Sequence, residues 1–328
     1  MTNTQTDLAG IVNALRDVQR PVIVTHIHPD GDAIGSQLAM YYLLKGLGKE
    51  HVQCASEEGP PAIYQWMPNV DQLKHPQQLT AGWDAVVVVD VAQIDRIGGC
   101  KDLIHDGVRV IIVDHHLEKA PFGDVNFVNP TYAATGEILV ELFETAGVEL
   151  TAEAAQCAYV ACTTDTGGFR FENTTPRSHR VAAKLLEKGI SVAEISGLVF
   201  DTMPLTKFQL LKRILPRVVL DASGALAHTY VTKKDMAELG AKTEDIDGLI
   251  TFARNIAGVR VALLFRESND TTTKVSVRAR AGFNAAEFLK QFGGGGHAGA
   301  AGATIDLPLE SAREMVLTSL RTALEAHA

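Results

Sequence analysis

His26-Ile27-His28-Pro29-Asp30-Gly31-Asp32 places two imidazoles and two carboxylates within seven residues. Imidazole suits Mn, Zn and Fe, and carboxylate suits Mg and Mn, so the mixed set points to a hydrolytic divalent-metal centre. Further acid and histidine clusters occur at Asp90, at Asp114-His115-His116, and at Asp165 within Thr163-Thr164-Asp165-Thr166-Gly167-Gly168. A lone Asp at a strand end is often only a helix cap. Four separate segments ending in Asp or His are harder to assign to capping. A pair of divalent ions about 3.5–4 Å apart needs ligands on both sides and one shared carboxylate. Asp30, Asp32, Asp90 and Asp165 together with two such ions are near neutral, and such a site can accept a phosphate dianion. Without metal the carboxylates repel one another and the substrate.

These residues sit where elements end. The apolar runs 21–25, 52–55, 84–90 and 108–114 are near-continuous and rich in Val and Ile, the pattern of strands buried on both faces of a parallel sheet. Helical patterns over 33–47, 136–146, 152–162, 176–188 and 191–200 follow or separate them. The alternation predicts a doubly wound, mainly parallel α/β domain over 1–200. In such a sheet the carboxyl ends of the strands share one rim, where ligands bind. A connecting helix ended by Pro216 is expected within 201–216. Beyond it, 217–328 reads as a smaller, mixed α/β domain. It has a hairpin around Asp221–Gly224, a strand pair over 259–266 and 274–280, and a final helix near 310–325.

The second half has its own anionic-ligand signal. Residues 251–300 carry seven Lys or Arg against three acids, although the whole chain has a net charge of -9. Gly293-Gly294-Gly295-Gly296-His297 follows the strand that holds Arg278 and Arg280. Glycines let a backbone approach a ligand closely and offer N–H groups to an anion. Alone, such a run is more often a flexible loop. After a basic strand it fits a grip on a substrate's non-scissile end through Arg278 or Arg280, Gly294, Gly295, Gly296 and His297.

Taken in order, His26-x-His28-Pro29-Asp30-Gly31-Asp32, Asp90, Asp114-His115-His116 and Asp165 resemble the motif series of the DHH phosphoesterase superfamily. That superfamily includes RecJ-type exonucleases, type II inorganic pyrophosphatases and the nanoRNase/pAp-phosphatase group. The stretch Gly293–Gly302 resembles the signature of its C-terminal accessory domain, so the likeness covers nearly the whole chain. The resemblance implies one metal on His26, Asp30 and Asp90, and a second on Asp32, Asp90, His115 and Asp165, with Asp90 bridging. It implies that His116 contacts the scissile phosphate and assists proton transfer, while Asp114 orients a neighbouring histidine. His28 is a candidate substrate contact. The implied cofactors are two divalent ions, Mn first, with Mg or Co as alternatives. The implied substrates are short oligoribonucleotides, linear dinucleotides such as pApA, and 3'-phosphoadenosine 5'-phosphate (pAp), enclosed between the two domains. Cyclic di-AMP is the alternative substrate. Pyrophosphate is disfavoured by the glycine-histidine signature, and a single-strand DNA exonuclease by the short chain.

The bulk composition narrows the field. The 328 residues are 46% hydrophobic and 21% charged, as in ordinary globular proteins. The acidic balance argues against binding long duplex DNA through a basic face. No apolar run reaches the roughly 18 residues of a membrane span, and the polar N-terminus lacks a secretory signal. The four cysteines form no C-x-x-C pair and read as reduced packing residues of a cytoplasmic protein. His51, His75, His105, His179, His228 and His327 lie outside any constellation and are assigned to surface or packing. A homodimer is left open.

Overall fold

The computed structural model describes residues 4–117, 120–280 and 282–325, so His327 lies outside the described residues. The chain divides into two compact units, Met1–Thr202 and Met203–Ala328.

The first unit runs β1 (Thr4–Gln5), α1 (Leu8–Asp17), β2 (Pro21–Val24), α2 (Gly31–Gly46), β3 (Gln53–Ala55), β4 (Leu73–Lys74), β5 (Ala85–Val89), β6 (Arg109–Asp114) and β7 (Val125–Val128). Four helices complete it: α3 (Thr135–Ala146), α4 (Ala152–Asp165), α5 (Pro176–Leu186) and α6 (Val192–Val199). The seven strands form one sheet in the order β1-β7-β6-β5-β2-β3-β4, every neighbouring pair parallel. Strands β2, β5 and β6 are the Val- and Ile-rich runs, and their apolar residues are fully buried. From β2 the chain moves outward to β3 and β4, then returns to β5 on the other side. The β2/β5 boundary is therefore the topological switch point, where doubly wound sheets open a crevice.

Helix α2 is buried on nearly every side, because it lies between the sheet and α4. Gly35 makes that possible. A Cβ there would stand 2.5 Å from the Cys157 carbonyl oxygen and 2.9 Å from the Ala161 Cβ. All four cysteines are buried and unpaired.

The second unit contains α7 (Leu205–Ile214), β8 (Val219–Leu220), β9 (Leu226–Val231), α8 (Lys233–Leu239), α9 (Ile250–Arg254), β10 (Val261–Asn269) and β11 (Thr272–Ala279), then α10 (Ala285–Lys290), β12 (Gly295–His297), β13 (Ala300–Ile305) and α11 (Leu309–Glu325). Its mixed sheet has the order β12-β13-β11-β10-β9-β8. The stretch expected to connect the domains, 201–216, contributes Leu210, Leu211 and Ile214 to this unit's core. Among the described residues no helix is long and apolar enough to cross a membrane.

Candidate active site

The first cluster is built by the turn from β2 into α2. Asp30 caps α2, accepting from the Ala33 amide at 3.1 Å, and its side chain stays largely exposed. His26 is buried below it. Its Nδ1 donates to the Ile27 carbonyl at 2.8 Å, which leaves Nε2 facing Asp90 at 3.5 Å and Asp30 at 3.9 Å. Asp32 lies on the first turn of α2, pointing inward. The amides of Thr135 and Gly136, at the start of α3, donate to its two oxygens at 2.7 and 3.0 Å, and the Ser36 hydroxyl adds a bond of 2.8 Å.

Asp90 follows β5 and adopts a left-handed φ of 61°, a conformation that Asp tolerates better than most residues. The Thr135 hydroxyl donates to its Oδ1 at 3.0 Å. Asp114 ends β6 wholly buried and accepts from both the backbone amide and Nδ1 of His116, at 3.1 and 2.8 Å. His115 Nδ1 sits 3.3 Å from the Tyr132 carbonyl, so Nε2 is again the free nitrogen. That Nε2 lies 3.6, 3.5 and 3.4 Å from oxygens of Asp32, Asp90 and Asp165, yet it makes no hydrogen bond. The spacing suits a shared cation, since two ligand atoms at about 2.0–2.2 Å from one metal stand roughly that far apart.

Among the described residues, three groups therefore have donor atoms within 4.8 Å of one another: His26, Asp30 and Asp90; Asp32, His115 and Asp165; and Asp90, His115 and His116. Asp90 and His115 each belong to two of them. The electrostatics fit a cation. Burial, reinforced by the charge on Asp30, pushes Asp32 up to about 7. Burial and the Asp32 charge do the same to Asp165. Asp90 rises well above the usual carboxyl range through burial and its acidic neighbours. Burial pulls His26 and His115 down, toward the neutral form that ligates metal. Burial also pulls on His116, but the hydrogen bond and charge of Asp114 outweigh it and raise the imidazole.

His28 stands apart from these groups. Its backbone is left-handed (φ 53°), its side chain is 81% exposed, and Nδ1 pairs with Glu58 at 2.8 Å. Several supporting groups were not anticipated. Ser36, four residues after Asp32 on one helix, carried a readable signal. Thr135 and Gly136 carried none, because only the tertiary fold brings the start of α3 to Asp32. Arg96 was also missed. Its carbonyl accepts from the Ile27 amide at 2.8 Å, and its exposed guanidinium is close enough to lower both His26 and His116.

In the second unit the last two glycines of the run lie in a strand. Gly295–His297 form β12 and pair with β13, with Gly296 at φ 138° and no room for a Cβ beside the Ala300 carbonyl oxygen. A Cβ on Gly294 would meet the Gly302 carbonyl oxygen at 2.5 Å. Arg278 and His297 are both in register with Ala300, so the three occupy one row across β11, β13 and β12. Arg280 lies beyond the end of β11 and bonds the Arg254 carbonyl at 3.3 Å.

Residues 20–162 match the DHH family, N-terminal domain, and residues 224–326 match the DHHA1 domain. The chain is 36% identical over 316 residues to the bifunctional oligoribonuclease and PAP phosphatase NrnA of Thermus thermophilus, a match spanning 96% of this chain and 93% of that protein. The Bacillus subtilis protein of the same name is 27% identical over 310 residues, covering 93% and 95%. An exopolyphosphatase-related protein from Bacteroides fragilis shares the fold, with a TM-score of 0.87, 24% identity and coverage of 97% and 96%. With a relative this similar over nearly its whole length and both domains matched in order, the chain belongs to the DHH family of metal-dependent phosphoesterases and is a hydrolase with a DHHA1 domain.

Proposed function

We propose that this chain hydrolyses short oligoribonucleotides, linear dinucleotides such as pApA, and pAp, with two divalent ions, Mn first. The observation that carries the metal reading is the buried, unpartnered His115 Nε2 among Asp32, Asp90 and Asp165. The substrate reading is supported by the names of the relatives from Thermus thermophilus and Bacillus subtilis. In this reading His26, Asp30 and Asp90 hold one ion, and Asp32, Asp90, His115 and Asp165 hold the other. When bound, such a pair clamps phosphate oxygens and makes a water acidic enough to attack phosphorus.

The chain's own residues do the rest. The Ile27 and Tyr132 carbonyls fix the rings of His26 and His115 so that Nε2 faces the acids. The Thr135 and Gly136 amides keep Asp32 oriented. Asp114 accepts from Nδ1 of His116 and its charge favours the imidazolium, whose Nε2–H is the proton available to the departing oxygen. Arg96 adds positive charge beside the two histidines for a phosphate oxygen. His28, turned toward Glu58, contacts the substrate only at the rim. In the DHHA1 domain Arg278 and His297, flanking the small Ala300, offer an anion two donors, with Arg280 and the Gly294–Gly296 backbone adjoining. Four free, buried cysteines support a cytoplasmic setting.

Turnover of pAp, pApA, cyclic di-AMP, pyrophosphate and an RNA length series, each with Mn, tests this reading. Rates that fall as RNA lengthens, with pAp and pApA among the best substrates, are expected. Equal rates on long and short RNA would overturn it.

A further inference from the structure

The loop after Asp165 presents two side chains that the metal chemistry does not use. The amides of Gly167, Gly168, Arg170 and Phe171 bond back to the carbonyls of Thr164, Thr163 and Thr166, at 2.7–3.1 Å. Gly167, Gly168 and Phe169 all have positive φ, so the loop is a tight knot. Asn173 ties it to both sides of the acid cluster, donating to the carbonyls of Asp165 and Ala133 at 3.1 Å each.

The knot seats an aromatic ring. A Cβ on Gly167 would fall 2.4 Å from the ring of Phe171, so that ring lies directly over the glycine. Its other side is open, since Phe171 is 50% exposed. Arg170 Nε donates to the Gly167 carbonyl at 2.6 Å. Among the described residues its two terminal nitrogens make no hydrogen bond or ion pair. A Cβ on Gly168 would stand 3.7 Å from Arg170 Nε and 3.9 Å from the ring of Phe200, which is 40% exposed. A guanidinium with free donors and two part-exposed aromatic rings thus gather at Gly167 and Gly168, with Gly167 only two residues from Asp165. Exposed aromatics held rigidly next to a charged, phosphate-compatible centre are the ingredients of a base-stacking platform.

We propose that Phe171 is the platform on which a nucleobase of the substrate stacks, and that Arg170 hydrogen-bonds a phosphate of the same nucleotide. The inference rests on the proposed nucleotide substrate and adds a base-recognition site to it. Every base has a π face, so the platform would favour nucleotides over base-free phosphates without selecting one sequence.

The test compares kcat/KM of wild type, Phe171→Ala, Phe171→Leu and Phe171→Tyr, with Mn, on pApA and on the same dinucleotide made abasic at one or the other position. Phe171→Ala should lose roughly 5- to 100-fold on pApA, the range of one base–aromatic stack. Phe171→Leu, which keeps an apolar cover over Gly167, should lose in the same direction, and Phe171→Tyr should stay near wild type. On one of the two abasic substrates the Ala and Leu losses should vanish. Equal losses on pApA and both abasic substrates, or none on pApA, would overturn the platform while leaving the functional reading intact. A wild type that does not cleave pApA or pAp overturns both.

Discussion

Asp90 is a carboxylate that burial and its neighbours oppose as an anion. It is closed off from solvent, its backbone is left-handed, and Asp32, Asp30, Asp114 and Asp165 all add negative charge. Such a residue is tolerable when a cation completes it. Asp90→Ala is therefore expected to lower kcat by more than about 10²–10³-fold, the scale of losing one preorganised charge contact. Bound Mn, counted by elemental analysis, should fall below two per chain. Undiminished hydrolysis by this variant would refute the shared-metal assignment. His116 gives a second prediction. Asp114 raises the imidazole through a 2.8 Å bond, and Asp114→Asn removes that support while keeping the shape. A general acid must be protonated, so activity is lost as pH rises through its pKa. Lowering that pKa moves the alkaline limb of kcat/KM to lower pH. The variant should also lose about 10–100-fold in rate, as outer partners of catalytic histidines commonly do. An unmoved alkaline limb would assign the proton to another group.

At the scale of elements, the close approach of α2 and α4 decides whether Asp32 and Asp165 can meet. Gly35 lies against the Cys157 carbonyl, and Gly31 against Thr164, where an added Cβ would come within 2.4 Å of the side chain. Gly35→Ala must push the helices apart. It should destabilise by about 1–3 kcal/mol, the usual cost of overpacking, and weaken Mn binding at the same time. Gly197, within α6 and facing open space, is the control. Gly197→Ala should stabilise by about 0.5–1 kcal/mol and leave Mn affinity alone. Thermal unfolding and Mn titration of both variants check the pair. Helices α2 to α7 and α11 and the buried Val- and Ile-rich strands were legible in the chain, because long runs of apolar residues report burial, whereas α1 and the short α8, α9 and α10 were not expected. Strands β1, β4, β7, β12 and β13 were not expected. Thr4–Gln5 is short, polar and exposed, and it becomes a strand only by pairing with Val125 and Asn126. The glycine run reads as a backbone grip on an anion, yet β13 pairs with Gly295, Gly296 and His297 and makes that part an edge strand. Every acid and histidine of the candidate centre could be named from its motif. The Thr135 and Gly136 donors could not, since they depend on which helix start the fold delivers to Asp32.

Across the whole molecule, the acid cluster ties stability to pH in a way that depends on metal. Asp32 and Asp165 stand near 7 against an ordinary value of 3.8, and Asp90 too is raised well above it. A raised carboxyl favours folding in its protonated form. Its contribution is full below the unfolded value and is lost as pH climbs through the folded one. His116, also raised, loses its contribution in the same direction. The buried His26 and His115 are lowered, so they oppose this trend, but only below their ordinary 6.5. His228, held down to about 4 by burial and nearby arginines, likewise acts only below that point. From pH 6.5 to 8 these shifts therefore push the same way, and the metal-free protein should lose several degrees of Tm across that window. Divalent ions bind the deprotonated carboxylates, so they displace protons and stabilise more as pH rises. The gap in Tm between Mn-loaded and metal-free protein should widen steadily over the same window. Thermal scans at half-unit pH steps, with chelator or with Mn, read both curves. A metal-free Tm that stays level or rises from pH 6.5 to 8 would mean that the buried carboxylates are compensated within the protein, and the case for a cation between them would lose its electrostatic basis.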